Sequence, residues 1–315
     1  MTRRFRARPH HHRCAASTPT GPTPQRKPVQ ARPSRNRRGN RSRGADVHNV
    51  DDGQGNVAVD SDQTLDTLAA ELLPGTAVVG LEWSLAQVWA VRHGQSTANV
   101  AFARADSDSM PIRGRDRDVV LSPRGVSQAA ALGRWWSGLA VEQRPQLVVC
   151  SPYARARQTW TVMSDTADTA SVPLVIDERA RDREMGVFEL WPPPVIHARA
   201  PEEFTRWELV GEWGYRPPGG ESLADVALRV RSLVLDLDRV AAGQRVLLVA
   251  HDAVVTAVSY VLAGLGAPVP DRVPPVPNAS VSLWARTSEG LRPRLWGNTD
   301  HLRDLGIEHP LPEQD

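Results

Sequence analysis

Cysteine is scarce in this chain: its 315 residues contain two, Cys14 and Cys150. Two isolated thiols make neither a disulfide framework nor a metal-ligand spacing, so a reducing, cytoplasmic compartment is the simpler expectation. Long apolar runs are also missing. No stretch approaches the roughly 20 apolar residues that cross a bilayer, and the N-terminus has no apolar core like that of a signal peptide, so no membrane partner is expected. Acidic residues are absent from positions 1–44, which carry twelve Arg and one Lys. Thirteen positive charges out of a chain total of +2 leave about −11 on the remainder, so a basic segment precedes an acidic body.

Residues 1–60 are rich in Arg, Pro, Ser, Thr and Gly and poor in bulky apolar side chains, the composition of a disordered tail. A solvated tail, an arm for nucleic acid or an anionic surface, a transit-like extension and a start codon set too far upstream compete as its meaning. Only Phe5 interleaves with the arginines, which disfavours stacking on bases. His10-His11-His12 reads as a compositional run rather than a metal site. Residues 61–85 form a lead-in segment with Leu65, Leu68, Leu72 and Leu73 at helical spacing. The expected domain spans 86–300, and 301–315 is expected to be a C-terminal tail.

Within that domain, short apolar runs alternate with helical patterns. Val88–Val91 reads as a buried strand that ends in Arg92-His93-Gly94, where glycine permits close backbone approach. Arg104 to Asp118 reads as a charged loop. Ser122 is placed as the N-cap and Pro123 as the first residue of a helix. Leu147–Cys150 is a second strand, followed by Ser151 and a helix with Arg155 in its first turn. Leu174–Ile176 is a third strand, and a charged segment from Asp177 to Glu184 follows, closed by Gly186. Residues 187–221 form a Trp- and Pro-rich insertion expected to cover the site, and Ser222 and Asp225 precede an amphipathic helix that runs to Val240. Arg245–Ala250 is a fourth strand ending in His251-Asp252, a helix follows from Ala253 to Leu262, and Val281–Trp284 is the final strand. This alternation predicts an α/β fold: a mostly parallel central sheet with helices on both faces, preceded by a disordered basic tail.

In such sheets ligands bind beyond the carboxyl ends of the strands, where Arg92, His93, Ser151, Arg155 and His251 would converge. Guanidinium matches phosphate oxygens bidentately, helix N-terminal amides add donors, and an imidazole can attack phosphorus.

The chain resembles the histidine phosphatase superfamily, also called phosphoglycerate mutase-like, on four ordered motifs. These are Arg92-His93-Gly94-Gln95-Ser96-Thr97-Ala98-Asn99, Leu121 to Ala129, Ser151 to Thr159, and the strand Val246 to Ala250 ending in His251. The resemblance implies that His93 is the nucleophile of a phosphohistidine mechanism. Arg92, Arg155 and His251 would surround the phosphoryl oxygens, with Asn99 and Ser96 adding hydrogen bonds, and neither a metal nor another cofactor is needed. The family's Glu proton donor is matched in position by Asp182, with Glu184 as the rival. Asp252 stands where many relatives have Gly and would either orient His251 or cap the next helix; Glu189-Leu190 replaces a common Glu-Gly. The expected activity is metal-independent hydrolysis of a phosphomonoester, the partner being a phosphorylated small molecule. A phosphoglycerate-type mutase and a non-catalytic phosphate-binding or regulatory protein are the alternatives. The motifs leave the substrate and the oligomeric state open.

Overall fold

The computed structural model describes residues 78–169, 171–270 and 273–305. The basic tail with Cys14 and the histidine run, the leucine-spaced stretch up to residue 77, and residues 306–315 lie outside the described residues.

Six strands build one sheet: β1 (Gln87–Arg92), β2 (Leu147–Cys150), β3 (Leu174–Ile176), β4 (Arg245–Ala250), β5 (Val281–Thr287) and β6 (Gly290–Asn298). Their spatial order is β3-β2-β4-β1-β5-β6. The first four are mutually parallel, while β5 and β6 join as an antiparallel hairpin on the β1 side. Among the described residues, seven α-helices connect them: α1 (Thr97–Phe102), α2 (Pro123–Gly138), α3 (Ala154–Ala167), α4 (Pro193–Arg199), α5 (Pro201–Val210), α6 (Leu223–Val240) and α7 (Asp252–Ala263).

The uninterrupted apolar run of β4 follows from burial on both sides. Val246, Leu248 and Ala250 pack with α6 and α7, whereas Leu247 and Val249 pack with α2 and α3. Alternate residues of β1 divide in the same way, Val88 and Ala90 against Trp89 and Val91. The sheet thus has a helical layer on each face, as the strand–helix alternation predicts. No helix among the described residues is long and apolar enough to cross a membrane.

Three features go beyond the sequence expectation. The last strand continues to Thr287 and returns as β6, an edge strand that tolerates Pro293 because its outer side needs no ladder bond. Residues 193–210 of the insertion are two helices, each with proline at its N-terminus. Residues 301–305, expected to open the tail, belong to a 3-10 helix whose Leu302 is buried with α2 and α3.

Candidate active site

The register of the parallel strands assembles the site. Arg92 at the end of β1 stands opposite Ala250 at the end of β4, and Cys150 of β2 stands opposite Val249. The next residues, His93, His251 and Ser151, therefore leave the sheet at one edge. A bond from the His93 N–H to the Ala250 carbonyl, 2.9 Å, extends the ladder into the site.

His93 is buried, with its Nδ1 2.7 Å from the Gly94 carbonyl oxygen. Nδ1 must donate there, which leaves the lone pair on Nε2. Arg155 Nε donates to Nε2 at 3.2 Å. Burial first, then the charge of Arg155, the repulsion between two imidazolium rings that His251 would add, and the charge of Arg92 push the His93 pKa well below the ordinary histidine value. The ring is held neutral, the form a nucleophile requires. Gly94 is fixed in turn by Thr159, whose Oγ1 accepts from the Gly94 N–H at 3.0 Å and donates to the Arg155 carbonyl at 2.8 Å.

The fully buried His251 ring stands edge-on to His93, with centroids 5.1 Å apart. Its Nε2 is 2.8 Å from Ser151 Oγ and its Nδ1 is 3.2 Å from Asp182 Oδ2. An ionised carboxylate only accepts, so the ring hydrogen of a neutral His251 is favoured on Nδ1, toward Asp182, and Ser151 Oγ, which also accepts from the Tyr153 N–H, donates to Nε2. Burial keeps the His251 pKa below its ordinary value despite the opposing pull of Asp182.

Asp182 joins the two histidines. Its Oδ2 accepts from Arg155 Nη2 at 2.6 Å, and its Oδ1 accepts from the Arg183 N–H at 2.8 Å. Burial raises its pKa, but the contact with His251 Nδ1 and the positive charge of Arg155 outweigh it and hold the carboxyl well below the usual range. The segment carrying it is held by Arg229 of α6, which donates to the carbonyl oxygens of Arg179, Arg181 and Asp182 at 2.7, 2.9 and 2.9 Å. Glu184 is elsewhere: it pairs with Arg181 at the surface, and its N–H is taken by Glu221.

Arg92 donates from Nη1 to the Val276 carbonyl at 2.7 Å and pairs through Nη2 with Asp252 at 3.0 Å. Asp252 thus engages Arg92 and, through Oδ1, the Ala253 N–H at the start of α7. Ser96 caps α1 by accepting from the Asn99 N–H, and both its N–H and its hydroxyl donate to Asn99 Oδ1. Ser96 is therefore committed to the cap. Asn278 ties this turn to the site, its Nδ2 lying 3.2 Å from the His93 carbonyl oxygen and 3.3 Å from Asn99 Oδ1.

The insertion borders the segment that carries Asp182. Arg183, next to Asp182, donates to the Glu221 and Tyr215 carbonyls and lies over the Trp207 ring, which stacks on Tyr215. Sequence reasoning missed Asp116, whose carboxylate is bidentate to Arg155. It lies in the charged loop, where no periodicity or motif separates it from its neighbours. Ligand atoms of His93, Asp182 and His251 lie within 4.8 Å of one another, a spacing suited to a metal ion. Arg155 nevertheless directs N–H groups into both His93 Nε2 and Asp182 Oδ2, so hydrogens stand where an ion would bind.

A histidine held neutral, its Nε2 accepting from Arg155, ringed by two arginines, a second histidine and a carboxylate at a sheet edge, is an arrangement able to hold a phosphoryl group. The chain belongs to the histidine phosphatase superfamily (branch 1), whose family profile matches residues 88–299. It is 35% identical over 191 residues to a 2,3-bisphosphoglycerate-dependent phosphoglycerate mutase of Methylobacterium radiotolerans, covering 58% of this chain and 81% of that protein. It is also 32% identical over 182 residues to a glucosyl-3-phosphoglycerate phosphatase of Mycolicibacterium vanbaalenii, covering 56% and 73%. Among solved structures, a native mycobacterial glucosyl-3-phosphoglycerate phosphatase superposes with a TM-score of 0.53 at 26% identity, over 68% of this chain and 99% of that one.

Proposed function

We propose that this chain hydrolyses a phosphomonoester of a small molecule through a phosphohistidine on His93, without a metal or other cofactor, in the cytoplasm. The observation that carries the reading is the His93 tautomer: Nδ1 is committed to the Gly94 carbonyl, so Nε2 carries the lone pair, which accepts from Arg155 until a phosphoryl group takes that guanidinium edge. Nε2 attacks phosphorus, and the bond from phosphorus to the leaving oxygen breaks. Arg92, Arg155 and His251, joined by the amide of Asn99, offset the charge spread over the phosphoryl oxygens.

Asp182 gives the leaving oxygen its proton. Ionised in the ligand-free site, it gains proton affinity when a phosphoryl anion is placed beside it. The resulting carboxylate then takes a proton from the water that attacks phosphorus, breaking the P–N bond. Phosphate leaves, and His93 returns to its neutral form.

Likeness to a bisphosphoglycerate-dependent mutase favours a second reading, transfer of the phosphoryl group to another hydroxyl instead of water. Hydrolysis of p-nitrophenyl phosphate by the full chain, with and without chelator and beside His93→Ala, separates the cases. Turnover that survives chelator and disappears in His93→Ala supports the phosphatase. Acid-labile phosphate on His93 that is passed to phosphoglycerate, and only slowly to water, supports the mutase. No labelling at all refutes both and leaves a binding protein.

A further inference from the structure

A guanidinium has five N–H donors, and in Arg155 all five are engaged. Nε donates to His93 Nε2 at 3.2 Å; Nη1 donates to the carbonyl oxygen of Asp116 at 2.7 Å and to its Oδ1 at 2.9 Å; Nη2 donates to Asp116 Oδ2 at 2.9 Å and to Asp182 Oδ2 at 2.6 Å. These bonds divide between two edges of the planar group. The end edge, Nη1 with Nη2, holds the Asp116 carboxylate in a fork. The side edge, Nε with Nη2, faces His93 and Asp182. Two phosphoryl oxygens can take either edge bidentately, but only the side edge borders the nucleophilic nitrogen.

Resting on the phosphatase reading above, we propose that Asp116 is a positioning residue. By clamping the end edge of Arg155 through both its carboxylate and its carbonyl, it makes the side edge the one that receives the phosphoryl group over His93. The clamp is anchored on both sides. The Asp116 N–H donates to Glu189 Oε1 at 2.7 Å, and the Asp116 carbonyl also accepts from the Val119 N–H at 3.1 Å. The neighbouring Ile112 N–H donates to the Leu190 carbonyl at 3.0 Å. Glu189 and Leu190 open the insertion, so the orientation of Arg155 is tied through Asp116 to the segment that borders the pocket.

A mere counter-ion would behave in the opposite way. A carboxylate that only neutralised Arg155 would compete with phosphate, and its removal would tighten anion binding. The deciding experiment is calorimetric titration of the full-length wild type, Asp116→Asn, Asp116→Glu and Arg155→Ala with inorganic phosphate, with p-nitrophenyl phosphate kinetics and thermal midpoints beside it. Asp116→Asn turns an amide N–H toward Arg155 and is expected to weaken phosphate about 10- to 100-fold, with KM rising more than kcat falls. Its thermal midpoint stays close to wild type, and Asp116→Glu recovers part of the affinity. Unchanged or tighter phosphate binding in Asp116→Asn, with binding lost in Arg155→Ala, overturns the positioning role and leaves the phosphatase reading standing. Phosphate binding that is absent from the wild type or indifferent to Arg155→Ala overturns both.

Discussion

Gly94 and Gly125 meet backbone to backbone. A β carbon on Gly94 would lie 2.5 Å from the Gly125 carbonyl oxygen, and one on Gly125 would overlap the carbonyl oxygen of Gln95. The turn carrying His93 is thereby seated on the first turn of α2, where Ser122 Oγ also donates to Gln95 Oε1 at 2.8 Å. Gly125→Ala is expected to destabilise the fold by about 2–3 kcal/mol, because neither backbone can retreat. Urea unfolding of the variant beside wild type measures it, and an unchanged midpoint would refute the contact.

Asp182→Asn separates acid catalysis from phosphate binding. On the proposed mechanism, losing the Asp182 carboxyl is expected to lower kcat on an alkyl phosphate about 100-fold, and by much less on p-nitrophenyl phosphate, whose leaving oxygen needs little help. Equal losses on both substrates would remove Asp182 from the acid role. Glu184→Gln, altering a surface ion pair, should leave both rates near wild type.

Arg229 reaches three carbonyl oxygens of the segment that carries Asp182, so Arg229→Lys cannot replace it. The expected outcome is a stability loss of about 1–3 kcal/mol and a fall in kcat that is larger for alkyl than for aryl phosphates. A fall equal for both would show that the segment's order matters to binding rather than to proton delivery.

The pH dependence has a defined sign. On the proposed mechanism His93 attacks as the neutral ring, and its pKa lies well below the ordinary value, so the acid limb of kcat/KM, corrected for substrate ionisation, should fall well below pH 6.5. Stability behaves differently. His93, His251 and His301, the last lowered to about 4, resist protonation when folded, while the unfolded chain takes up protons from about pH 6.5 downward. Stability is therefore lost as pH drops from the unfolded value toward each folded one. Urea midpoints should be lower at pH 5 than at pH 7.5; equal midpoints would contradict the burial of neutral imidazoles.

How much of this was legible in the sequence depended on whether a pattern carried it. β4 announced itself because both its faces are buried, and His251 came with it. β6 did not, since Arg292, Pro293 and Arg294 break any apolar alternation in a half-exposed edge strand. Ser96 was singled out for phosphate together with Asn99, whereas the structure gives the Ser96 N–H and hydroxyl to the cap of α1, where Asn99 contributes its Oδ1 and backbone N–H. Asp182 and Glu184 are alike as acids two positions apart; what distinguishes them is the grip of Arg229 and Glu221 on the backbone, a long-range effect that local sequence does not encode. Asp116 was invisible for a similar reason, since loop geometry alone brings it to Arg155.

The ladder that sets Arg92 opposite Ala250 makes the spacing of the two histidines a matter of hydrogen-bond rungs, not of chain length. Intervening loops can be grafted, lengthened or trimmed without retuning that spacing. A single deletion inside β4, by contrast, would flip its side chains between the two helical layers and turn His251 away from its partner. Substrate choice is in this sense a replaceable attachment, and the rungs of the sheet are the fixed ruler against which it is fitted.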